Sequence, residues 1–247
     1  MLNKYLALFR KKQNIPEHSP ENHGTLTCEN NHDDTHNMNR YKYNFEEYVS
    51  EVTSAVARFG FLPKGKNTLV RQTEHCTQRI NFVCTKVRNK NEIHVITCVA
   101  FTFPPLDKLI SDLSGTKYDK GFPTGSIPLE TLSTGAWNPI LYISDDTDVS
   151  TDVQKTIQHL EEHALAFWDS CDTLEKFYNK LKDNDPHVVS SVAGLNKQPW
   201  NLLGLTLLLQ YDAMAILEAN RPFFEKSLSA PQFEELTEKC KRIAGES

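Results

Sequence analysis

The chain has 247 residues, 39% of them hydrophobic and 24% charged, with a formal net charge of −5, the profile of an ordinary soluble globular protein with one large domain. Its longest leucine run, Leu207 to Leu209, falls far short of the roughly 20 apolar residues of a membrane-spanning helix. The start, Met1 to Phe9 followed by Arg10-Lys11-Lys12, lacks the apolar centre and cleavage pattern of a secretory signal, so a cytoplasmic protein without a membrane partner is expected.

Along the chain, Leu2, Tyr5, Leu6 and Phe9 recur at helical spacing in residues 1–12, a short amphipathic tail. Residues 13–40 hold only Ile15, Leu26, Cys28 and Met38 as apolar side chains, too few to offset the entropy of ordering, and read as a polar linker. The body, 41–247, opens with a helix in which Phe45, Tyr48, Val49, Val52, Val56 and Phe59 share one face, started by an Asn44-x-x-Glu47 cap signal and stopped by Gly60. The period then changes to two: Ile80, Phe82 and Cys84 alternate with polar residues, Arg88-Asn89-Lys90-Asn91 turns the chain, and Ile93 to Phe103 alternates again. This predicts a hairpin, with Thr68 to Gln72 as an earlier strand of the same meander.

Pro104-Pro105 closes that strand, Leu106 to Leu113 reads as a short helix, and Gly115 to Gly135, rich in Gly, Pro, Ser and Thr, reads as a long excursion. Trp137 to Ile143 returns as a fourth strand. From Thr151 the helical period takes over, with stripes through Val153, Ile157, Leu160, Ala164 and Phe167 and through Leu174, Phe177, Tyr178 and Leu181. Trp200 to Leu217 is apolar almost all round, as in a helix buried among neighbours and ended by Pro222. A last helix after Ser229-Ala230-Pro231 aligns Phe233, Leu236, Cys240 and Ile243. The expected fold class is α+β: an antiparallel β-meander flanked by helices, with a helical extension over about 185–247.

The segment Phe45 to Phe103 carries a helix ending in Gly60-Phe61, then Lys64-Gly65, Arg71, and a strand beginning Gln78-Arg79-Ile80-Asn81-Phe82. Together with Trp137, Ala166-Phe167-Trp168 and Asp172-Thr173-Leu174-Glu175, it resembles the bacterial domain-of-unknown-function family numbered 4304 over roughly residues 43–181. The resemblance implies a helix, an antiparallel meander and later helices, and a bacterial origin, with no established activity. Val83-Cys84 stands where that family continues its Ile-Asn strand with a glutamine, so any role of the glutamine is not carried over.

Several motifs bear on chemistry. Gly60-Phe61-Leu62-Pro63-Lys64-Gly65-Lys66-Asn67 comes close to a phosphate-cradling loop, but Asn67 replaces the magnesium-binding hydroxyl, a helix precedes instead of following, and Pro63 removes a donor. His159-Leu160-Glu161-Glu162-His163 matches H-x-x-E-H, in which His159 and His163 would hold zinc and Glu162 would act as general base. Such a metal-dependent hydrolase needs a third ligand, for which Glu218, Glu225 and Glu234 are candidates without a distinguishing spacing. His18, His23, Cys28, His32 and His36 cluster in the linker, where a polar segment is the simpler reading than a metal tract. Six scattered cysteines without a Cys-x-x-Cys pair are expected to be free thiols, and no Gly-x-Ser-x-Gly elbow occurs. No cofactor is expected.

Charge is uneven. From Arg58 to Lys90 the local net is +7, and from Ser144 to Glu175 it is −8. The basic block places Arg71, Arg79, Lys86 and Arg88 on or beside strands, a surface for nucleic acid, although the acidic whole argues against that partner. In the acidic block Asp145, Asp146, Asp148, Asp152, Glu161 and Glu162 concentrate negative field on one helix and its preceding loop, a device that steers basic proteins. The reading favoured is a non-enzymatic protein-binding module that holds a basic partner, as immunity-type or defence-system proteins do. The alternatives are a metal-dependent hydrolase, nucleic-acid binding, and acidic and basic blocks that simply pair with each other.

Overall fold

In the computed structural model, residues 40–87, 90–119, 121–134, 141–193 and 197–245 are described. The tail, the linker with its His18 to His36 cluster, Arg88 and Trp137 lie outside the described residues. Helix α1 (Arg40–Val56) runs into a 3-10 turn (Ala57–Phe59) that Gly60 ends in the left-handed conformation, φ 83°, with its N–H on the Ala57 carbonyl. Strands β1 (Leu62–Pro63), β2 (Thr68–Gln72), β3 (Thr77–Lys86) and β4 (Glu92–Thr102) follow as an antiparallel meander. Helix α2 (Pro104–Ser114) comes next, then β5 (Gly125–Pro128), helix α3 (Leu129–Thr134) and β6 (Leu141–Ser144).

The second edge of β4 carries two short strands end to end: β5 pairs with Cys98 to Phe101 and β6 with Glu92 to Val95, both antiparallel. The α+β class is as expected, but the Gly115 to Gly135 excursion contains β5 and α3. Gly125, Pro128 and a four-residue strand give too little period to be seen in sequence. Of the stretch expected as a returning strand, Leu141 to Ile143 lie in β6, and residues 137–140 lie outside the described residues.

The helical half begins with one long helix, α4 (Ser150–His159), a π-helical turn (Leu160–Ala164) and α5 (Leu165–Ser170). The Leu165 N–H reaches back five residues to the Leu160 carbonyl. The wider turn resets the helical phase, so that Leu160 and Ala164 within it and Phe167 and Trp168 after it are all buried. Then come α6 (Leu174–Lys182), capped by the Thr173 hydroxyl, α7 (Pro186–Ala193), α8 (Gln198–Leu208), α9 (Ala213–Ala219), α10 (Arg221–Ser227) and α11 (Ala230–Ala244).

Three expectations about these helices change. The single helix from Trp200 to Leu217 is two: Gln210 takes φ 58° and the Asp212 carboxylate accepts from Ala215 N–H at 2.9 Å, starting α9 afresh. Pro222 lies in the first turn of α10 and so begins a helix instead of ending one. Asn44 is no N-cap. The helix starts four residues earlier, and the buried Asn44 amide donates to the carbonyls of Ser144 and Thr147 at 2.9 and 3.2 Å, tying α1 to the end of β6. Helix α11 starts after Ser229 with Pro231 in its first turn, as expected; the structure adds a capping box of Ser229 and Gln232, and Ile243 is exposed.

One core fills the space between the sheet and its helices around Ile80, Val99, Phe101, Leu106, Trp168 and Phe177. Phe101 is its hub, with Phe103, Phe167 and Phe177 rings at centroid distances of 5.7, 6.0 and 5.0 Å. A second core among α8 to α11 gathers Leu203, Leu207, Leu217, Phe224 and Leu236. Helix α8 serves both, since Leu205 lies in the first, which is why its sequence is apolar all round. The extension is thus joined to the body by α8, and by Val188 and Val192 of α7 in the first core.

Four residues, Phe61, Arg71, Gln78 and Trp168, pack together beside the sheet. The Phe61 ring lies 5.1 Å from that of Trp168, whose indole N–H donates to the Ala100 carbonyl at 3.0 Å. The Arg71 guanidinium covers both rings, at 5.1 and 5.8 Å, while donating to Gln78 Oε1 at 2.6 Å and to the Phe59 carbonyl at 3.3 Å.

Candidate functional site

Helices α1 and α4 lie side by side over the sheet, and both start at the loop that follows β6. There the Asp145 carboxylate accepts from the Tyr41 N–H at 2.8 Å and from the Asn91 amide at 2.9 Å. Asp148 accepts from the Ser150 N–H and hydroxyl at 3.0 and 2.7 Å, and this holds its carboxyl below the usual range. The far ends of the two helices are joined by an ion pair between Arg58 and Glu161. Between them the Tyr48 hydroxyl meets Thr97 Oγ1 at 2.9 Å and Thr156 Oγ1 at 3.0 Å. Burial pushes that phenol up, and the negative charges of Asp152 and Glu130 add to the effect.

The six acids singled out in sequence therefore divide. Asp145 and Asp148 cap helices and Glu161 is paired, so three are committed to the fold. Asp146 is exposed, Asp152 is half-buried, and Glu162 is exposed and accepts from Gln158 at 2.9 Å. Sequence reading missed that the helix packed against α4, α1, carries Glu46, Glu47 and Glu51 at exposed or half-exposed positions. Their signal was present as the polar side of a recognised helix, but which helix neighbours the acidic block is a tertiary fact. The opposed charge blocks meet directly through Arg58 and Glu161.

His159 and His163 straddle the π turn with ring centroids 6.0 Å apart and nearly perpendicular planes. His163 Nε2 lies 3.7 Å from the Glu162 carboxylate, and His159 Nδ1 lies 3.4 Å from Ser133 Oγ. Ser133 spends its proton on the Glu130 carbonyl at 3.1 Å, so it does not present His159 with a hydroxyl to deprotonate. Burial pushes the Glu130 carboxyl up while the nearby His159 pulls it down. Among the described residues, no three His, Cys, Asp or Glu side chains are grouped to hold a metal ion. Two of the proposed third ligands, Glu218 and Glu225, both bind Arg221, at 2.8 and 3.1 Å.

The basic residues do not share a face. Arg71 pairs in register with the buried Gln78 and points into the helical side, and Lys86 lies 5.6 Å above the Tyr41 ring on that side. Arg79 alternates to the opposite face and donates to the Gly121 carbonyl at 3.0 Å. Phe82, a potential stacking platform, is buried under Tyr48. The described cysteines Cys76, Cys84, Cys98, Cys171 and Cys240 are free, and burial pushes the Cys98 thiol up to about 12 and Cys240 up to about 11.

A second polar cluster had no sequence signal, because its members are up to 118 positions apart. The Asp107 carboxylate of α2 accepts from the Thr124 hydroxyl at 2.8 Å, and Thr124 in turn accepts from the Phe103 N–H at 2.8 Å. Lys197, at the head of α8, donates to the Pro123 carbonyl at 3.2 Å and lies 4.4 Å over the Phe122 ring. Burial pushes Asp107 up to about 6, against the Thr124 bond and the charges of Lys197 and Arg79, which pull it down. Its folded value exceeds the unfolded one, so the folded state takes up a proton between about pH 6 and 4 and gains stability as pH falls through that window. Asp107→Asn is therefore expected to flatten the pH dependence there and to raise stability at pH 7 by about 1–3 kcal/mol. Urea unfolding at pH 7 and at pH 5 checks both.

The chain matches no family model, no curated protein and no solved structure. The likeness of residues 43–181 to family 4304 therefore rests on the quoted motifs alone. Among the described residues, no helix is long and apolar enough to cross a membrane.

Proposed function

We propose that this chain is a non-enzymatic protein-binding module that holds a basic partner on the ridge formed by α1, the loop after β6, and α4 with its π turn. The observation that carries the reading is that exposed acids of α1 and of the later segment lie on neighbouring helices, where they outnumber Arg40 and Lys42 of α1 and Lys155 of α4. Glu46, Glu47 and Glu51 come from α1; Asp146, Asp152 and Glu162 come from the later segment, with Asp145, Asp148 and Glu161 adding field while they cap and pair. Exposed like charges in such density cost the free protein stability and serve association by steering an oppositely charged surface. A bacterial, cytoplasmic setting and an immunity-type or defence-associated role, in which the module occludes a basic active site, fit this chemistry and the resemblance to family 4304.

The hydrolase and nucleic-acid readings lack comparable support. The first needs a third metal ligand beside His159 and His163, and the second needs one basic surface where Arg71, Arg79 and Lys86 diverge. The test must spare the caps. Replacing Glu46, Glu51, Asp146 and Glu162 together by lysine leaves Asp145 and Asp148 in place and is expected to weaken capture of a basic protein from the native host by more than about tenfold, with little change in melting temperature. Undiminished capture by the reversed, folded variant would end this reading.

A further inference from the structure

The first core covers one face of the sheet, the one that bears Ile80, Phe82, Val99 and Phe101. Side chains alternate along a strand and cross-strand partners share a face, so the register defines the other face. It lines up Leu62 with Val70 and Arg79, Val83 with Ile96, and Thr85 with His94 and Tyr142. This second face is covered at one end, where Ala100 and Thr102 are buried and Arg79 donates to the Gly121 carbonyl of the connection from α2 to β5. Elsewhere Val70 and Ile96 are half-buried but belong to neither core. Leu62, Val83 and Tyr142 are 67%, 41% and 52% exposed and are three of the seven large hydrophobic side chains exposed among the described residues. Exposed apolar surface is therefore gathered on this face, and such gathering marks an interaction surface.

Charge and area identify the occupant. Of the charged side chains on this face, Glu92 and His94 bond each other at 2.5 Å, and Arg79 is held by Gly121 at 3.0 Å. The other polar side chains, Thr68, Asn81 and Thr85 among them, are neutral. A twofold axis brings each group of a surface near its own counterpart, so a surface that binds its own copy is nearly uncharged at its centre. Surfaces for foreign partners draw instead on opposite charge, which this face does not offer. The chain as a whole carries −5, and two copies repel each other least through their neutral faces. β3 and β4 pair over ten positions, flanked by β2 on one side and by β5 and β6 on the other. At standard strand spacing and rise, the uncovered part amounts to about 600 Å² per copy with its side-chain relief. A face-to-face pair then buries about 1,200 Å², the lower bound of specific, stable interfaces.

We propose that this chain forms a homodimer in which the uncovered sheet faces of two copies pack on each other about a twofold axis, with Val83, Ile96 and Tyr142 in the contact. Sheets stacked in this way lie about 10 Å apart, with strand directions within about 30° of each other. An interface at the lower bound of area makes the dimer reversible. Helices α1 and α4 lie on the opposite side of the sheet, so both acidic ridges face outward in the dimer, and the inference does not rest on what the ridge binds.

Sedimentation equilibrium of the full chain over about a hundredfold range of concentration tests this. The monomer is expected to convert to a dimer, and to nothing larger, as concentration rises. Val83→Glu with Tyr142→Glu sets like charges against each other across the axis and is expected to raise the dissociation constant by about thirtyfold or more. Its melting temperature is expected to match that of wild type at a concentration where both are monomeric. Should the double variant fail to fold, Val83→Lys alone, at an exposed position, reads the same contact and is expected to weaken the dimer by about tenfold. The ridge variant reversed at Glu46, Glu51, Asp146 and Glu162 is expected to dimerise as wild type does. A dimer unmoved by the changes at Val83 and Tyr142, a dimer lost in the ridge variant, or a monomer at every concentration would overturn the proposal. In that monomer, Val83 and Ile96 methyl groups shielded from a dissolved paramagnetic probe would assign the face to another segment of this chain.

Discussion

Gly125→Ala is expected to destabilise the protein by about 2–3 kcal/mol, one of the largest effects of any single-methyl change in the chain. Gly125 opens β5 and faces Phe101 across the ladder. A Cβ there would stand 2.6 Å from Phe101 Cζ and 2.8 Å from both Phe101 Cε1 and Ser191 Oγ. The ring cannot yield, because it is fully buried among Phe103, Phe167 and Phe177, and packed interiors resist even one added carbon. The cost is one of space, so trimming the obstacle should recover part of it. Phe101→Leu in the same chain is expected to be less damaging than it is alone, and a double-mutant cycle by thermal unfolding measures the coupling.

Arg71→Ala is expected to cost about 2–4 kcal/mol. The side chain has no carboxylate partner among the described residues; it is held by Gln78 Oε1, the Phe59 carbonyl and the faces of Phe61 and Trp168. Truncation leaves the amide oxygen of the buried Gln78 unpaired and uncovers two aromatic faces. Arg71→Lys should restore less than half of the loss, since one ammonium cannot bind the amide and the carbonyl while lying flat on the rings. Denaturant unfolding followed by tryptophan fluorescence reads both variants, and equal stability of Arg71→Lys and wild type would contradict this account.

Arg71 also shows what was legible in the sequence. Alternation located β3 and β4, and Gly60 ended the first helix where its left-handed conformation requires. Alternation could not tell whether Arg71 faced solvent or the helical side, because burial of a charged residue is decided by Phe61 and Trp168, the latter 97 positions away. Asn44 carried a cap signal, but its amide is used on β6 carbonyls that no local pattern reveals. The break at Gln210 and Asp212 was hidden by the apolar run on either side. At the acidic ridge the sequence located the charges but not their duties. Capping by Asp145 and Asp148 and pairing of Glu161 became visible only with the neighbours in place, as did the added glutamates of α1.

The shared edge of β4 bears on how the sheet assembles and opens. Pairing β3 with β4 closes a short loop between Lys86 and Ile93, whereas β5 must return from 24 or more positions away and β6 from 46 or more. Short closures are entropically cheaper and faster, so the hairpin is the natural template and the two small strands are late additions to its far side. Because β5 and β6 bond to different stretches of β4 and not to each other, either can detach while the other stays. In the language of amide exchange, the two ends of one strand belong to different opening units, and the end beside Ser144 is the one that both N-terminal helix ends and the acidic loop would feel.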